Sequence, residues 1–395
     1  MMIVLAVLGV LLLAGALYVC RGFFLIAVAK SLNARAEATM AETAELNART
    51  AELEAETADL EARAKASKAS KAVALGFVPE EELDTTLWAP RTPERQTVLD
   101  ALRAGDWEAG AAYVEAAGQE WEERWQRVVA LADLAAEDDD AWLLAWRAAR
   151  PADPVAAVVG AETGVRVAWN VRGRKRASYT TQEQFRLFGE LLNTAQRAAH
   201  EAQHLADPAD PLPYMVEQHI GHGLGYSHER YRALWEQITA RDPKVLSAHT
   251  NALEYWCQKW RGSHALAHAF AAESAAAGAP GDLLSLLPLI AYFEQEQHER
   301  DLLPETWYQE PGITAAVDAA VQDLAEAGPG HPGLARMRHM LAYLLFWQDR
   351  DADAVEQFRH VDGYIGTVPW SYDPSPRRRY LYARDWAIDV TTPEA

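Results

Sequence analysis

The sequence predicts an all-α protein with a transmembrane helix, then a helical stalk, then a solenoid of stacked helix pairs. Three observations support this prediction: an uncharged apolar run at the N-terminus, a stretch without Gly or Pro behind it, and helical spacing of apolar residues through most of the remaining chain. The predicted divisions are a membrane anchor (1–29), a helical stalk (30–72), a linker (73–96), a helical-repeat domain (97–361) and a C-terminal tail (362–395).

The predicted anchor is the N-terminal apolar run. No charged side chain occurs from Met1 to Val19, and a helix of that length covers about 28 Å, close to the ~30 Å hydrocarbon core of a bilayer. Arg21, Lys30 and Arg35 all follow this run, and no basic residue precedes it. Because positive charge flanks the cytoplasmic end of a span, we expect a single-pass protein of the cytoplasmic membrane with its body in the cytoplasm.

A cleaved signal peptide is the alternative interpretation of the same run. Such a peptide carries basic residues before its apolar stretch and small residues at its cleavage site, whereas no Lys or Arg precedes Arg21 here. The anchor is therefore favoured. If the segment were cleaved, the body would instead be a secreted helical-repeat protein.

The predicted stalk is rich in Ala, Glu, Leu, Thr and Arg, and lacks Gly and Pro over residues 30–71. Leu46, Leu53 and Leu60 recur at heptad spacing, and small residues fill the other core position: Thr43, Thr50, Thr57 and Ala64. This pattern predicts a coiled coil and hence a homo-oligomer. Thr and Ala bury little apolar area, so a single solvated helix with pairs such as Glu45–Arg49 is the alternative.

Composition argues that the body neither binds nucleic acid nor depends on a set of cysteines. The chain has a formal net charge of -20, and the acidic excess lies wholly in residues 73–395, so binding to nucleic acid is not expected. Its two cysteines, Cys20 and Cys257, are too few and too far apart for a disulfide framework or a cysteine-rich metal site. With 50% hydrophobic residues, the body can form a substantial core.

Proline-containing breaks recur along the body at intervals typical of helix pairs. Pro208 and Pro243 stand about 35 residues apart, which is close to the period of tetratricopeptide repeats, each ending a helix at a proline. Trp235 and Ile238 precede Pro243 at positions where that repeat places packing residues. The segment 165–171 alternates like a strand, but we interpret it as helix because a lone strand has nothing to pair with.

Four sequence segments together resemble an uncharacterised bacterial family, a domain-of-unknown-function group related to tetratricopeptide proteins. The segments are Ala141-Trp-Leu-Leu-Ala-Trp146 with Arg150-Pro151 behind it, Ala168-Trp-Asn-Val-Arg-Gly173, Leu205-Ala-Asp-Pro-Ala-Asp-Pro211 and Lys259-Trp-Arg-Gly-Ser263. The resemblance covers about residues 95–300. It implies an α-solenoid of degenerate helix pairs, and it supplies no activity, substrate or catalytic residue.

An α-solenoid with an acidic body predicts a non-catalytic protein–protein interaction scaffold with an unidentified protein partner. The candidate partner-binding residues are Trp256, Lys259, Trp260 and Arg261, where two large amphipathic rings adjoin two cations at a turn. The alternative is that both tryptophans pack one helix pair on the next. On the scaffold interpretation no cofactor is expected.

His200-Glu-Ala-Gln-His204 matches the H-E-x-x-H pattern, in which two histidines on a helix bind zinc and the glutamate activates a zinc-bound water. The alternative function is therefore a zinc-dependent hydrolase with His200 and His204 as ligands, Glu201 as base and Asp210 as third ligand. Other third-ligand candidates are Glu217, His219 and His222. The position of the motif at the end of a repeat helix argues against this hypothesis.

The segment Gly221-His-Gly-Leu-Gly225 combines small residues with a local excess of histidine. A metal cluster is one interpretation of His219, His222 and His228. The favoured interpretation is a close helix crossing, which the missing side chains of the glycines permit.

Overall fold

The structure, a computed structural model, describes Met40, Thr43, Asn47, 49–51, 53–59, Arg63, 65–69, 71–173 and 181–392. These residues are helical or lie in turns and loops, and they contain no strand. One isolated bridge joins Asp84 to Tyr364. The all-helical character that the sequence predicts is therefore observed throughout the described residues, including the strand-like segment 165–171.

The membrane-spanning part of the prediction is corrected. No helix among the described residues is long and apolar enough to cross a membrane, so a single-pass protein of the cytoplasmic membrane is not supported. The predicted anchor, residues 1–29, lies outside the described residues.

The chain divides into two compact units, Met1–Ser70 and Lys71–Ala395. The described residues of the first unit are helical, and Arg63 pairs with Asp59 at 2.7 Å across one helical turn. Leu53 is 57% exposed in the single chain, whereas its heptad partners Leu46 and Leu60 lie outside the described residues. The coiled coil and the homo-oligomer stay predictions.

The second unit, here called the body, contains fifteen α-helices among its described residues. They are α1 (Pro93–Arg103), α2 (Trp107–Glu115), α3 (Trp121–Glu137), α4 (Ala141–Ala149), α5 (Pro154–Arg172), α6 (Gln182–Leu205), α7 (Leu212–Leu224), α8 (His228–Thr239), α9 (Leu246–Trp256), α10 (His264–Ala277), α11 (Leu286–Glu299), α12 (Pro311–Glu326), α13 (Leu334–Trp347), α14 (Asp351–Val361) and α15 (Pro376–Thr391).

Local sequence accounts for many helix ends. Asp153 caps α5 by accepting hydrogen bonds from the backbone N–H groups of Val155 and Ala156, and Pro154 stands at the first helical position. Thr181 and Gln184 form a reciprocal capping box at the start of α6. Between α13 and α14 the chain turns at Asp349, whose φ of 56° lies in the left-handed region.

The helices pack in two layers. Most helices contact the next one along the chain, and the alternate helices α3, α5, α7, α9, α11 and α13 also contact one another in succession. In addition, α9 returns to contact α3. The helices α3, α5, α7 and α9 therefore form a closed ring on the inner side of the body.

Two large apolar cores hold the body together. One runs from α1 to α8 and the start of α9, and the other runs from α9 to α15. The second core includes Phe77 and Leu83 from the predicted linker, and Tyr380 and Ile388 from the predicted tail. In addition, the buried guanidinium of Arg384 donates to the carbonyl of Val78 at 2.8 Å. Residues 73–96 and 362–392 are thus integral to the body.

Candidate functional site

A cavity of about 260 Å³ lies at the inner ring of helices. We call it the inner cavity. Its walls come from α3, α5, α7 and α9, and its rim comes from Trp88 and the start of α13. Residues far apart in sequence thus surround one space.

The wall formed by α3 carries its cavity side chains at helical spacing. Glu122, Trp125, Gln126, Val129 and Asp133 share one face of the helix. Helix α9 contributes Leu246, Ser247 and Asn251 in the same way. Because polar groups alternate with aromatic and aliphatic groups on these faces, the cavity offers both hydrogen bonding and apolar contact.

The carboxylate of Glu122 links α3 to α9 through hydrogen bonds, and this link joins the two ends of the ring of inner helices. Its Oε2 accepts from the backbone N–H of Ser247 at 2.7 Å, and its Oε1 accepts from the Ser247 hydroxyl at 2.6 Å. Gln126 Nε2 donates to Glu122 Oε1 at 3.0 Å. Both carboxylate oxygens of Glu122 are therefore engaged in hydrogen bonds that hold α3 and α9 together.

A network of charged side chains from α3, α5 and α7 lies beneath the cavity. Glu162 is 0% exposed and accepts from Arg166 at 2.7 Å, while Arg166 also pairs with Asp133 at 3.2 Å. His219 Nδ1 lies 3.7 Å from Glu162 Oε2, which is too long for a hydrogen bond. The network holds two carboxylates around one guanidinium.

The two carboxyl groups of this network titrate in opposite directions. Burial alone would raise the pKa of Glu162, but Arg166 and His219 outweigh it, so that pKa lies below its ordinary value. Burial raises the pKa of Asp133, and Arg166 offsets only part of this rise. Glu162 is thereby held as a carboxylate, while Asp133 takes a proton more readily than an exposed aspartate.

Arg336 stands at the rim with most of its donors uncommitted. Its Nη1 donates to the Thr250 hydroxyl at 3.0 Å, and among the described residues no carboxylate lies within 4.0 Å of its guanidinium. The residue is exposed, but the protein packed around its guanidinium displaces part of the surrounding water, and this desolvation lowers its pKa. The next residue after Thr250, Asn251, has a buried Nδ2 with no acceptor among the described groups.

Stacked aromatic rings continue from the cavity into the neighbouring core. Trp125 lies over His219 with ring centroids 6.2 Å apart, and His222 stacks on Trp260 at 5.8 Å. Burial lowers the pKa of His222 to about 4, so the ring is neutral at pH 7. His222 therefore packs as a flat aromatic side chain.

The predicted partner-binding residues do not form one exposed patch. Trp256 is 6% exposed and packs against Tyr255 in the core. Lys259 donates to Glu294 at 2.7 Å, and the indole N–H of Trp260 donates to Glu254 at 3.2 Å. Arg261 is exposed at the surface, beside Gly225. Lys259 Nζ also lies 3.7 Å from Glu254, so the structure brings Lys259 and Trp260 together at Glu254. The partner-binding role of all four residues stays a prediction.

The H-E-x-x-H residues lie on the last turns of α6 and do not converge on a common point with Asp210. His200 Nε2 lies 3.3 Å from Glu217 Oε1, and Glu201 lies 3.7 Å from Arg147. His204 is exposed. Asp210 is buried, where its Oδ1 accepts at 2.8 Å from the backbone N–H of Leu212, the first residue of α7.

The other proposed third ligands have partners of their own. Glu217 accepts from the Tyr226 hydroxyl at 2.7 Å and from Gln203 at 2.8 Å. His219 and His222 belong to the inner cavity and its aromatic extension. Within the described part of the chain, no three His, Cys, Asp or Glu residues form a group that could hold a metal ion.

Sequence reasoning missed the inner cavity. One signal was available: Glu162 is a lone carboxylate in the long apolar run of α5, and such a residue needs a buried partner. Ser247 and Asn251 gave a second signal, because they place two polar groups one turn apart on the same face of α9.

Comparison with protein families, with curated proteins and with solved structures finds no match to this chain. The resemblance to tetratricopeptide-like proteins of unknown function therefore stays a prediction.

Proposed function

We propose that the body is a non-catalytic binding module that holds a short segment of another protein in the inner cavity. The observation that carries this proposal is the convergence of side chains from five separate helices and the Trp88 loop on one space with uncommitted donors. Convergent polar groups between apolar and aromatic walls are typical of a recognition site.

The size of the cavity favours an anchoring side chain over a whole small molecule. Pockets that enclose drug-sized ligands span about 300–1,000 Å³, whereas the inner cavity measures about 260 Å³. Protein interfaces commonly rely on a few anchor residues that fill such small pockets. A partner segment would place one such residue here and extend along the rim.

The nearby acids and hydroxyls are already engaged in hydrogen bonds or ion pairs within the body. This supports a binding role over a catalytic one. The Ser247 hydroxyl donates to Glu122, and Glu162 is tied to Arg166. Cys257 is buried, and burial raises the pKa of its thiol. None of these groups is poised to act as a nucleophile.

Site-specific photo-crosslinking in the native cells tests the proposal. A photoreactive amino acid at position 332, on the cavity rim, should yield a discrete adduct with one protein. The same amino acid at position 330, in the same loop but facing open space, is the matched control and should yield none.

A cavity-filling variant completes this test. Asn251→Trp should abolish the adduct at position 332, because the indole would occupy the space of the anchor. Adducts of equal strength from positions 330 and 332, or an adduct that survives Asn251→Trp, would contradict the proposal.

A further inference from the structure

The donors at the rim of the inner cavity outnumber their acceptors. The guanidinium of Arg336 makes one hydrogen bond, to Thr250, among the described residues. The Nδ2 of Asn251, adjacent in sequence to Thr250, is buried without an acceptor. A buried donor without a partner costs about 1–3 kcal/mol, and this cost applies to the Asn251 amide. Arg336 is exposed and lines the same cavity. An acceptor from outside the described residues would therefore satisfy Asn251 and could bind the remaining donors of Arg336.

We propose that the anchor of the bound segment is an acidic side chain whose carboxylate is held by Arg336 and Asn251. This inference rests on the proposed function and names the chemistry of its ligand. A guanidinium binds a carboxylate through two parallel hydrogen bonds, and a carboxamide N–H can serve one of the remaining lone pairs. Trp88 and Trp125 line the same cavity and would pack on the aliphatic stem.

The charges around the cavity favour a carboxylate over a phosphate group. Glu122 lies in the wall and Asp133 near the floor, and Glu254 lies close enough for its charge to act on Arg336. Arg166 is already paired with Glu162 and Asp133. One uncommitted guanidinium matches a single negative charge, whereas a dianionic phosphate would bring an unbalanced second charge and meet stronger repulsion from these carboxylates.

Saturation-transfer NMR on small probes tests this inference with the full-length protein. N-acetyl-glutamate α-amide carries the predicted carboxylate, and N-acetyl-glutamine α-amide is its neutral isostere. The first should bind saturably below about 50 mM, and the second at least about tenfold more weakly. Inorganic phosphate, added as a competitor at equal concentration, should not displace the first probe.

Three variants locate the interaction. Arg336→Gln and Asn251→Asp should each weaken binding of the glutamate probe at least about tenfold, because the first removes the fork of donors and the second adds a repelling charge. The control is Arg338→Gln on the same helix, since Arg338 donates to Gln357 at 3.1 Å and does not line the cavity. Near-ultraviolet circular dichroism verifies that each variant is folded.

The outcomes separate this inference from the proposed function. Equal binding of both probes, displacement by phosphate, or unchanged binding in Arg336→Gln would overturn the carboxylate assignment, even where the adduct at position 332 persists. Binding of the glutamate probe without any adduct at position 332 would instead overturn the protein-segment proposal and leave a site for free carboxylates.

Discussion

The indole N–H of Trp370 donates to Nδ1 of His339 at 3.0 Å, and Nε2 of the same imidazole lies 3.0 Å from the carbonyl oxygen of Trp88. An indole N–H can only donate and a carbonyl can only accept, so His339 is neutral with its proton on Nε2. The ring is fully buried, and this burial lowers its pKa to about 4. His339 thereby ties Trp88, at the cavity rim, to the core around α13.

We predict that His339 makes the body acid-sensitive. Its pKa rises to about 6.5 in the unfolded chain, so the unfolded state binds more protons between pH 6.5 and 4. The stabilisation from the neutral ring is fully present above pH 6.5 and is lost as pH falls. At pH 4 the loss in the free energy of unfolding amounts to about 3 kcal/mol. Urea unfolding at several pH values should show this fall in the free energy of unfolding.

The variant His339→Gln should flatten that pH dependence, because glutamine does not titrate and still offers an acceptor and a donor. It should not remove the pH dependence entirely, since His222 has a lowered pKa too. His360→Gln is the control, because His360 is exposed. An unchanged pH slope in His339→Gln would show that His339 is not the acid-sensitive group.

The buried network beneath the cavity yields a second prediction. Glu162→Gln should lower the free energy of unfolding by about 3 kcal/mol, because it leaves Arg166 with only the Asp133 carboxylate in a protein environment. The exposed pair between Glu183 and Arg186 provides a control, and Glu183→Gln should have no measurable effect. Urea unfolding at pH 7 measures both. Equal effects would mean that the Glu162 pair is solvated like a surface pair.

Two helical glycines give a matched pair of stability predictions. A Cβ at Gly223 would lie 2.7 Å from Cζ of Phe188 and would also clash with Leu192, whereas a Cβ at Gly189 would meet nothing within 4 Å. Gly223→Ala should therefore destabilise the body by about 1–3 kcal/mol through overpacking. Gly189→Ala should stabilise it by about 0.5–1 kcal/mol, because alanine favours helix. Thermal unfolding measures both, and a neutral Gly223→Ala would mean that α6 and α7 can separate without cost.

The sequence was informative where local chemistry decides the structure. The ends of α6 and α8 shortly before Pro208 and Pro243, and the close approach at Gly223, each depend on backbone constraints that act within a few residues or at one crossing. Helix type and several helix ends could therefore be predicted.

The inner cavity depends on long-range geometry. Glu122 meets Ser247 only because the succession of inner helices returns α9 to α3. Arg336 reaches Thr250 from a later part of the chain in the same way. The rotation from one helix to the next sets these encounters, and small errors in that rotation accumulate over successive helices. Periodicity in the sequence does not fix that angle.

The last prediction concerns the H-E-x-x-H residues and zinc. A zinc site needs a third protein ligand at about 2.0–2.2 Å from the metal, but Asp210 accepts from the backbone N–H of Leu212, and Glu217 accepts from Tyr226 and Gln203. We expect full-length protein that has been equilibrated with zinc and then desalted to retain no stoichiometric metal. Glu201→Gln should leave the free energy of unfolding unchanged, because Glu201 is exposed and its ion pair with Arg147, at 3.7 Å, lies at the surface.

Elemental analysis of wild type, His200→Ala and His360→Ala decides the question. His360 is the matched control, because it is also an exposed helical histidine that lies 3.3 Å from a glutamate, Glu356. Zinc near one equivalent in the wild type and in His360→Ala, but lost in His200→Ala, would establish a metal site on α6. That result would require Glu217 or Asp210 to leave its present partners, because both are engaged in the packing of α6 and α7. Metal binding would then have to rearrange the start of α7, which a shift in the near-ultraviolet circular dichroism on adding zinc would reveal.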